Sequence, residues 1–225
     1  MKMKISLLNI MMFCYGCTVL ISCNSFQHNE DFQEGDLLFQ NLNCGELCDA
    51  IEAVTDGVYD REFSHCAMVI DINDTLKVIE AIGTKVQVNS LQNFFSRSGD
   101  TSTIQNITVG RVKHQYENLI PEVISNAKQL VGQPYDNEFL LDNGKWYCSE
   151  LIYEIFKEAN NKDFFELKAM TFKAPETNTF FPVWVSYYKD LNKEIPEGQP
   201  GINPGLISRS DKIKIIEINS KYVNR

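Results

Sequence analysis

Ser64-His65-Cys66-Ala67-Met68-Val69-Ile70, followed across Asn73-Asp74 by Lys77-Val78-Ile79-Glu80-Ala81-Ile82, is the stretch on which the fold of this chain turns. Two apolar runs rich in β-branched residues, joined by two residues that favour turns, predict a hairpin. A two-residue loop at Asn73-Asp74 sets Ile72 opposite Thr75, and counting back along both strands sets Ala67 opposite Glu80 and His65 opposite Ile82. His65 and Glu80 then share one face as diagonal neighbours, roughly 7–8 Å apart at Cα and within reach of each other's side chains. A four-residue loop gives the same pairing, whereas three or five residues would move Glu80 to the other face. Cys66 falls on the face opposite His65, where a plain core role is expected. Taken singly, His65 is a satisfied core histidine and Glu80 a solvated strand residue; the hairpin is what makes them a pair.

Working outward, Trp146-Tyr147-Cys148-Ser149-Glu150-Leu151-Ile152 places a cysteine at the start of a helix whose apolar residues Leu151, Ile152, Ile155, Phe156 and Ala159 recur at helical spacing. Free backbone N–H groups and the positive end of the helix dipole favour thiolate over thiol there, and thiolate is the reactive species. Cysteine, histidine and carboxylate together make a candidate catalytic unit of Cys148, His65 and Glu80. Tyr135 and Tyr147 are candidates to line its pocket, although aromatic packing beside a turn or helix start explains both as well.

Five segments, Gly35-Asp36-Leu37-Leu38-Phe39, Ser64-His65, Ile79-Glu80-Ala81, Gly132-Gln133-Pro134-Tyr135-Asp136 and Tyr147-Cys148-Ser149-Glu150-Leu151, resemble the YaeF/YiiX group of permuted papain-like amidases, relatives of the NlpC-type cell-wall peptidases. Their order is informative, because ordinary papain-like enzymes place the cysteine before the histidine and the permuted group reverses this. The resemblance runs from about Gly35 to the segment at 204–208 and implies an α+β, circularly permuted papain-like (NlpC-type) fold with an antiparallel sheet packed against helices. It also implies Cys148 as nucleophile, His65 as base and Glu80 as the third polar residue, in agreement with the hairpin count.

Lys2 and Lys4 precede an apolar stretch ending in Leu20-Ile21-Ser22-Cys23. A charged start, a short apolar core and small residues before a cut mark a secretory signal. The last four residues resemble the lipobox of bacterial lipoproteins, which implies lipidation at Cys23 and residence in the cell envelope, periplasmic or surface-facing, on a bacterial membrane; the alternatives are a retained membrane anchor and an ordinary cleaved signal. The expected organisation is a signal at residues 1–22, a polar tether at 23–34 and one hydrolase domain at 35–225. About 190 residues beyond the tether suffice for one domain with a real core. The formal net charge of −9, or −11 without the two lysines of the leader, makes nucleic acid a poor partner.

Of seven cysteines, Cys14 and Cys17 fall in the leader. Cys44 and Cys48 could form a disulfide, or remain free and buried, since two helical residues four apart are poorly placed for one. No second cysteine pair suggests a zinc site, no Gly-rich phosphate loop is present, and no cofactor is expected. His28 and His114 show no partner and are expected at the surface. Strands are expected at 36–39, 65–70, 77–81, 85–88, 104–112 and 212–218. A helix is expected from Pro121, with Val123, Ile124, Ala127, Leu130 and Val131 as its stripe and Gly132 and Pro134 as its stop. Residues 173–204, rich in Pro, Asn, Gly and aromatics, read as a long irregular excursion near the pocket. The expected activity is a cysteine hydrolase cleaving an amide through a thioester, on cell-wall peptide or another amino-acid-containing envelope substrate. The alternatives are an acyl-lipid thiol hydrolase or acyltransferase, and a ligand-binding lipoprotein without catalysis.

Overall fold

The computed structural model describes residues 31–98 and 107–218. Cys23 and His28 therefore lie outside the described residues, as does the start of the strand expected at 104–112.

Six strands, Leu37–Gln40 (β1), His65–Asp71 (β2), Leu76–Ile82 (β3), Lys85–Ser90 (β4), Ile107–Val112 (β5) and Ile213–Ile216 (β8), form one antiparallel sheet in the order β4-β3-β2-β1-β5-β8. Lys168–Ala169 (β6) and Pro200–Gly201 (β7) form a separate short ribbon. The predicted hairpin is present in the predicted register: Met68 faces Ile79 and Asp71 faces Leu76, with Ile72 and Thr75 closing the loop through reciprocal backbone hydrogen bonds. Asn73 and Asp74 both have positive φ, 54° and 60°, which is the twist a two-residue hairpin loop requires and which these two residue types tolerate.

Side chains alternate across β1, β2 and β3, so each face of the sheet has its own core. Leu37, Phe39, Met68, Ile70 and Ile79 meet Val123 and Ala127 of helix Ile120–Gln129 (α3) and Leu151, Ile152, Ile155 and Phe156 of helix Cys148–Asn160 (α4). On the other face Leu38, Ala67, Val69 and Val78 pack with Phe94 of the short helix Leu91–Phe95 (α2). Pro121 occupies the first turn of α3 as expected, but the helix ends at Gln129, so Val131 lies beyond the stripe and is 45% exposed. Leu130, the C-cap residue, still packs against the core, so Val131 is the one residue by which the expected stripe is too long.

Residues 173–204 are not wholly irregular. Pro182–Leu191 forms a helix (α5) that buries Trp184 and Tyr188 in an aromatic cluster with Phe172 and with Ala50 of helix Glu46–Glu52 (α1). Its inward residues are aromatic rather than aliphatic, which hid its period in the sequence. Helix Pro204–Ser208 (α6) follows, opened by Asn203 Oδ1 accepting from the Leu206 N–H. Cys44 and Cys48 are disulfide-bonded with Cα atoms 5.3 Å apart. Only Cys48 is helical, so the objection to helical residues four apart does not apply. His114, expected without a partner, is exposed but pairs with Glu117 at 2.8 Å.

Candidate active site

His65 opens β2 and Glu80 stands near the end of β3, just where the ladder between the two strands stops at Met68–Ile79. His65 Nε2 and Glu80 Oε2 are 2.6 Å apart, and both side chains are buried. Two residues that sequence reasoning missed complete the carboxylate's surroundings. Asn89 Nδ2 donates to Glu80 Oε1 at 2.8 Å, and Arg97 Nη2 reaches both oxygens at 2.5 and 2.6 Å. Asn89 was within reach of the hairpin count: β3 and β4 pair Glu80 with Gln87 and Val78 with Asn89, which places Asn89 diagonal to Glu80. No local signal marks Arg97, which comes from the turn after α2 and lies over the Phe94 ring.

Cys148 is delivered by a relay of backbone hydrogen bonds. Gly132 and Gln133 bond to Val86 of β4, Tyr135 N–H donates to Thr84 O, and Trp146 N–H donates to Pro134 O. The segment that sequence could read as a mere helix stop thus ties the β3–β4 hairpin to the start of α4. There Tyr147 N–H donates to Glu150 Oε2, a capping contact also unforeseen. Burial, with Asp136 and Glu154 nearby, raises the Glu150 carboxyl to about 9.

Cys66 was expected as a plain core residue. It is buried and free, on the face expected, and α4 packs against that same face, so its thiol meets Cys148. A hydrogen bond from Cys66 is the largest influence holding the Cys148 thiol well below the usual cysteine range; burial opposes it, and His65 adds a hydrogen bond and a favourable charge. Burial pushes Cys66 itself well up, so it remains a donor. For His65, burial alone would lower the pKa, but hydrogen bonds and attraction from Cys148 and Glu80 outweigh it and raise the imidazole to about 9. Glu80 is lowered despite its burial, through His65 first and then Arg97 and Asn89. These directions agree with one state, an imidazolium held between a thiolate and a carboxylate.

The cavity beside Cys148 has a volume of about 140 Å³. Tyr135 and Tyr147 both line it. Tyr147 is buried, with its hydroxyl accepting from Ile202 N–H at 3.3 Å, while Tyr135 is half-buried. Among the described residues, no group of three or more His, Cys, Asp and Glu side chains is arranged to hold a metal ion.

This site predicts selective alkylation. With limiting iodoacetamide at mildly acidic pH, where an ordinary thiol with pKa near 8.5 is protonated, Cys148 should be modified well before Cys66, and the Cys44–Cys48 disulfide should not react. Peptide mapping by mass spectrometry reads the order; equal labelling of Cys66 and Cys148 would contradict the charge state described.

Residues 31–217 match the family described as permuted papain-like amidase enzyme, YaeF/YiiX, C92 family. The uncharacterized protein YiiX of Escherichia coli K12 is 24% identical over 127 residues, which cover 56% of this chain and 58% of that protein. A crystal structure described as the metalloprotein yiiX from Escherichia coli O157:H7 superposes with a TM-score of 0.68 at 21% identity, over 84% of this chain and 99% of that one, and shares the fold.

Proposed function

The chain belongs to the YaeF/YiiX, C92 family of permuted papain-like amidases, and on that premise we propose that Cys148, His65 and Glu80 hydrolyse an amide bond through a thioester. The observation carrying this reading is the buried 2.6 Å His65–Glu80 pair with the Cys148 sulfur against the same imidazole, at the edge of a cavity. With Nε2 bonded to Glu80, Nδ1 is the ring nitrogen left to exchange a proton with the sulfur. The Cys148 thiolate attacks the carbonyl carbon, and its backbone N–H, at the first position of α4, donates to the developing oxyanion. The C–N bond then breaks as His65 delivers its proton to the leaving amine. A water, deprotonated by His65, attacks the thioester, releases the acid and restores the thiolate. Because His65 must be charged to protonate the amine, turnover should persist at neutral pH and decline as pH rises through about 9.

The proposed substrates are amides of the cell envelope, peptidoglycan stem peptides or their fragments, in keeping with the NlpC-type kinship and the leader. Incubating the protein with fragmented peptidoglycan and with envelope lipids, then comparing products by mass spectrometry with those of Cys148→Ala, tests this; products independent of Cys148 would overturn it. The acyl-lipid reading draws on one observation, the mostly apolar wall of the cavity. Glu80→Gln should cost less than loss of Cys148 or His65, on the order of 10–10²-fold in kcat/KM, since Glu80 orients and charges the imidazole without touching substrate. Full activity in that variant would remove Glu80 from the unit.

We further propose that Cys23 carries lipid. In a bacterium fed labelled palmitate the chain should take up label and partition with membranes, and Cys23→Ser should abolish both; a full-length membrane-bound Cys23→Ser product would overturn the lipobox reading. Among the described residues no helix is long and apolar enough to cross a membrane.

A further inference from the structure

The cavity at Cys148 is walled by Ile51, Val54, Phe139, Phe172, Trp184 and Leu206, contributed by α1, α5, α6 and the segments between them. Its polar lining groups are largely engaged with the protein itself. Thr55 Oγ1 donates to Ile51 O at 2.8 Å, Ser149 Oγ donates to Ile202 O at 2.9 Å, and Thr171 Oγ1 donates to Glu197 at 3.2 Å. Ser64 Oγ accepts from Leu42 N–H, and the Asn203 side chain caps α6. Among the described residues, Lys168 on the exposed β6 ribbon is the one charged side chain of the lining besides the Cys148 sulfur, and no carboxylate lines the cavity. A stem peptide with free carboxylates and ammonium groups would lose water here and gain few hydrogen bonds in return, which is the costly direction for polar groups. An apolar group would gain from the same wall.

Size narrows the choice. A dry apolar cavity of about 150 Å³ accommodates benzene, and this one is about 140 Å³. Building on the amide-hydrolysis reading above, we infer that the acyl half of the substrate carries one apolar group of benzene size, a leucyl- or phenylalanyl-like side chain or a medium acyl chain, seated in this cavity while the carbonyl lies at the Cys148 sulfur. The acyl half is the one that stays bonded to the sulfur as the thioester, and the amine must leave. The cavity opens to solvent, so the far end of a long fatty chain would lie beyond its apolar wall and gain nothing there; a lysyl side chain meets no carboxylate inside, and a glutamyl side chain meets only Lys168 on the exposed ribbon.

The test uses the intact protein and chloromethyl ketones, whose carbonyl group is held as the substrate's would be while the thiolate displaces chloride. The acyl groups are acetyl, hexanoyl, hexadecanoyl, and N-protected leucyl, phenylalanyl, glutamyl and lysyl. Cys148 alkylation is followed by intact mass and expressed relative to iodoacetamide on the same protein. Burial of each methylene is worth about fourfold, so hexanoyl should exceed acetyl by on the order of 10²-fold, with no further gain at hexadecanoyl. Leucyl or phenylalanyl should exceed glutamyl and lysyl by a similar factor. The hexanoyl and aminoacyl arms separate a lipid-like source from a peptide-like one. Val54→Phe, or Ala169→Phe on the exposed ribbon should the first variant fail to fold, should bring hexanoyl down towards acetyl. Equal rates across the series, or preference for glutamyl or lysyl, overturn the inference while leaving the thiol chemistry standing. Resistance of Cys148 to every reagent, iodoacetamide included, overturns the amidase reading and this inference with it.

Discussion

Cys148→Ala and His65→Ala should each lower turnover by about 10³-fold or more, and the double variant should be hardly worse than either alone. The first removes the covalent route, because no other thiol sits at the start of α4; the second removes proton transfer and the cation that keeps the sulfur charged. Residues acting in one chemical step are not additive, and that non-additivity is the informative readout. Steady-state kinetics on an amide substrate identified by product analysis, with thermal midpoints measured in parallel, separates this from misfolding. Full activity in Cys148→Ala would leave the non-catalytic binding lipoprotein as the surviving reading.

Asp36→Ala should destabilise the fold by roughly 3–5 kcal/mol, the range for breaking a buried ion pair from one side. Asp36 is fully buried at the start of β1, and its oxygens accept from Arg111 Nε at 2.6 Å and Nη2 at 2.9 Å across to β5. Asp36 also accepts the Gln33 N–H. Removing the carboxylate takes the Asp36 counter-charge from a buried guanidinium on β5, an interior strand of the sheet, so urea unfolding should show a lower midpoint, and the thermal midpoint should fall by about 10 °C for a domain of this size. Asp36→Leu combined with Arg111→Met should recover much of the loss, since desolvation of the stranded charge is then gone. A single Asp36→Ala change within about 0.5 kcal/mol of the wild type would show that the pair contributes little beyond its own desolvation.

The pairing of His65 with Glu80 was legible because strand geometry is local: a two-residue loop and a period of two leave one register, and counting along it suffices. Continuing the count through Gly83 and Thr84 would also have found Asn89. Helix α4 was equally legible, because aliphatic residues at helical spacing follow a cysteine. Helix α5 was not, because its buried stripe is Trp and Tyr set among polar residues and prolines, a composition shared with loops.

The hairpin, its register, the cysteine-led helix and the order of histidine before cysteine could all be read along the chain, because they rest on contacts within a few residues or on a resemblance of short segments. Packing between elements is what brings Arg97 across to Glu80, sets Cys66 against Cys148, joins Cys44 to Cys48, and makes α1, α5 and α6 wall an apolar cavity open to solvent. Those facts depend on how separate elements stack. A residue's face is set by its own strand or helix, but what that face meets is set by packing, which no spacing along the chain encodes.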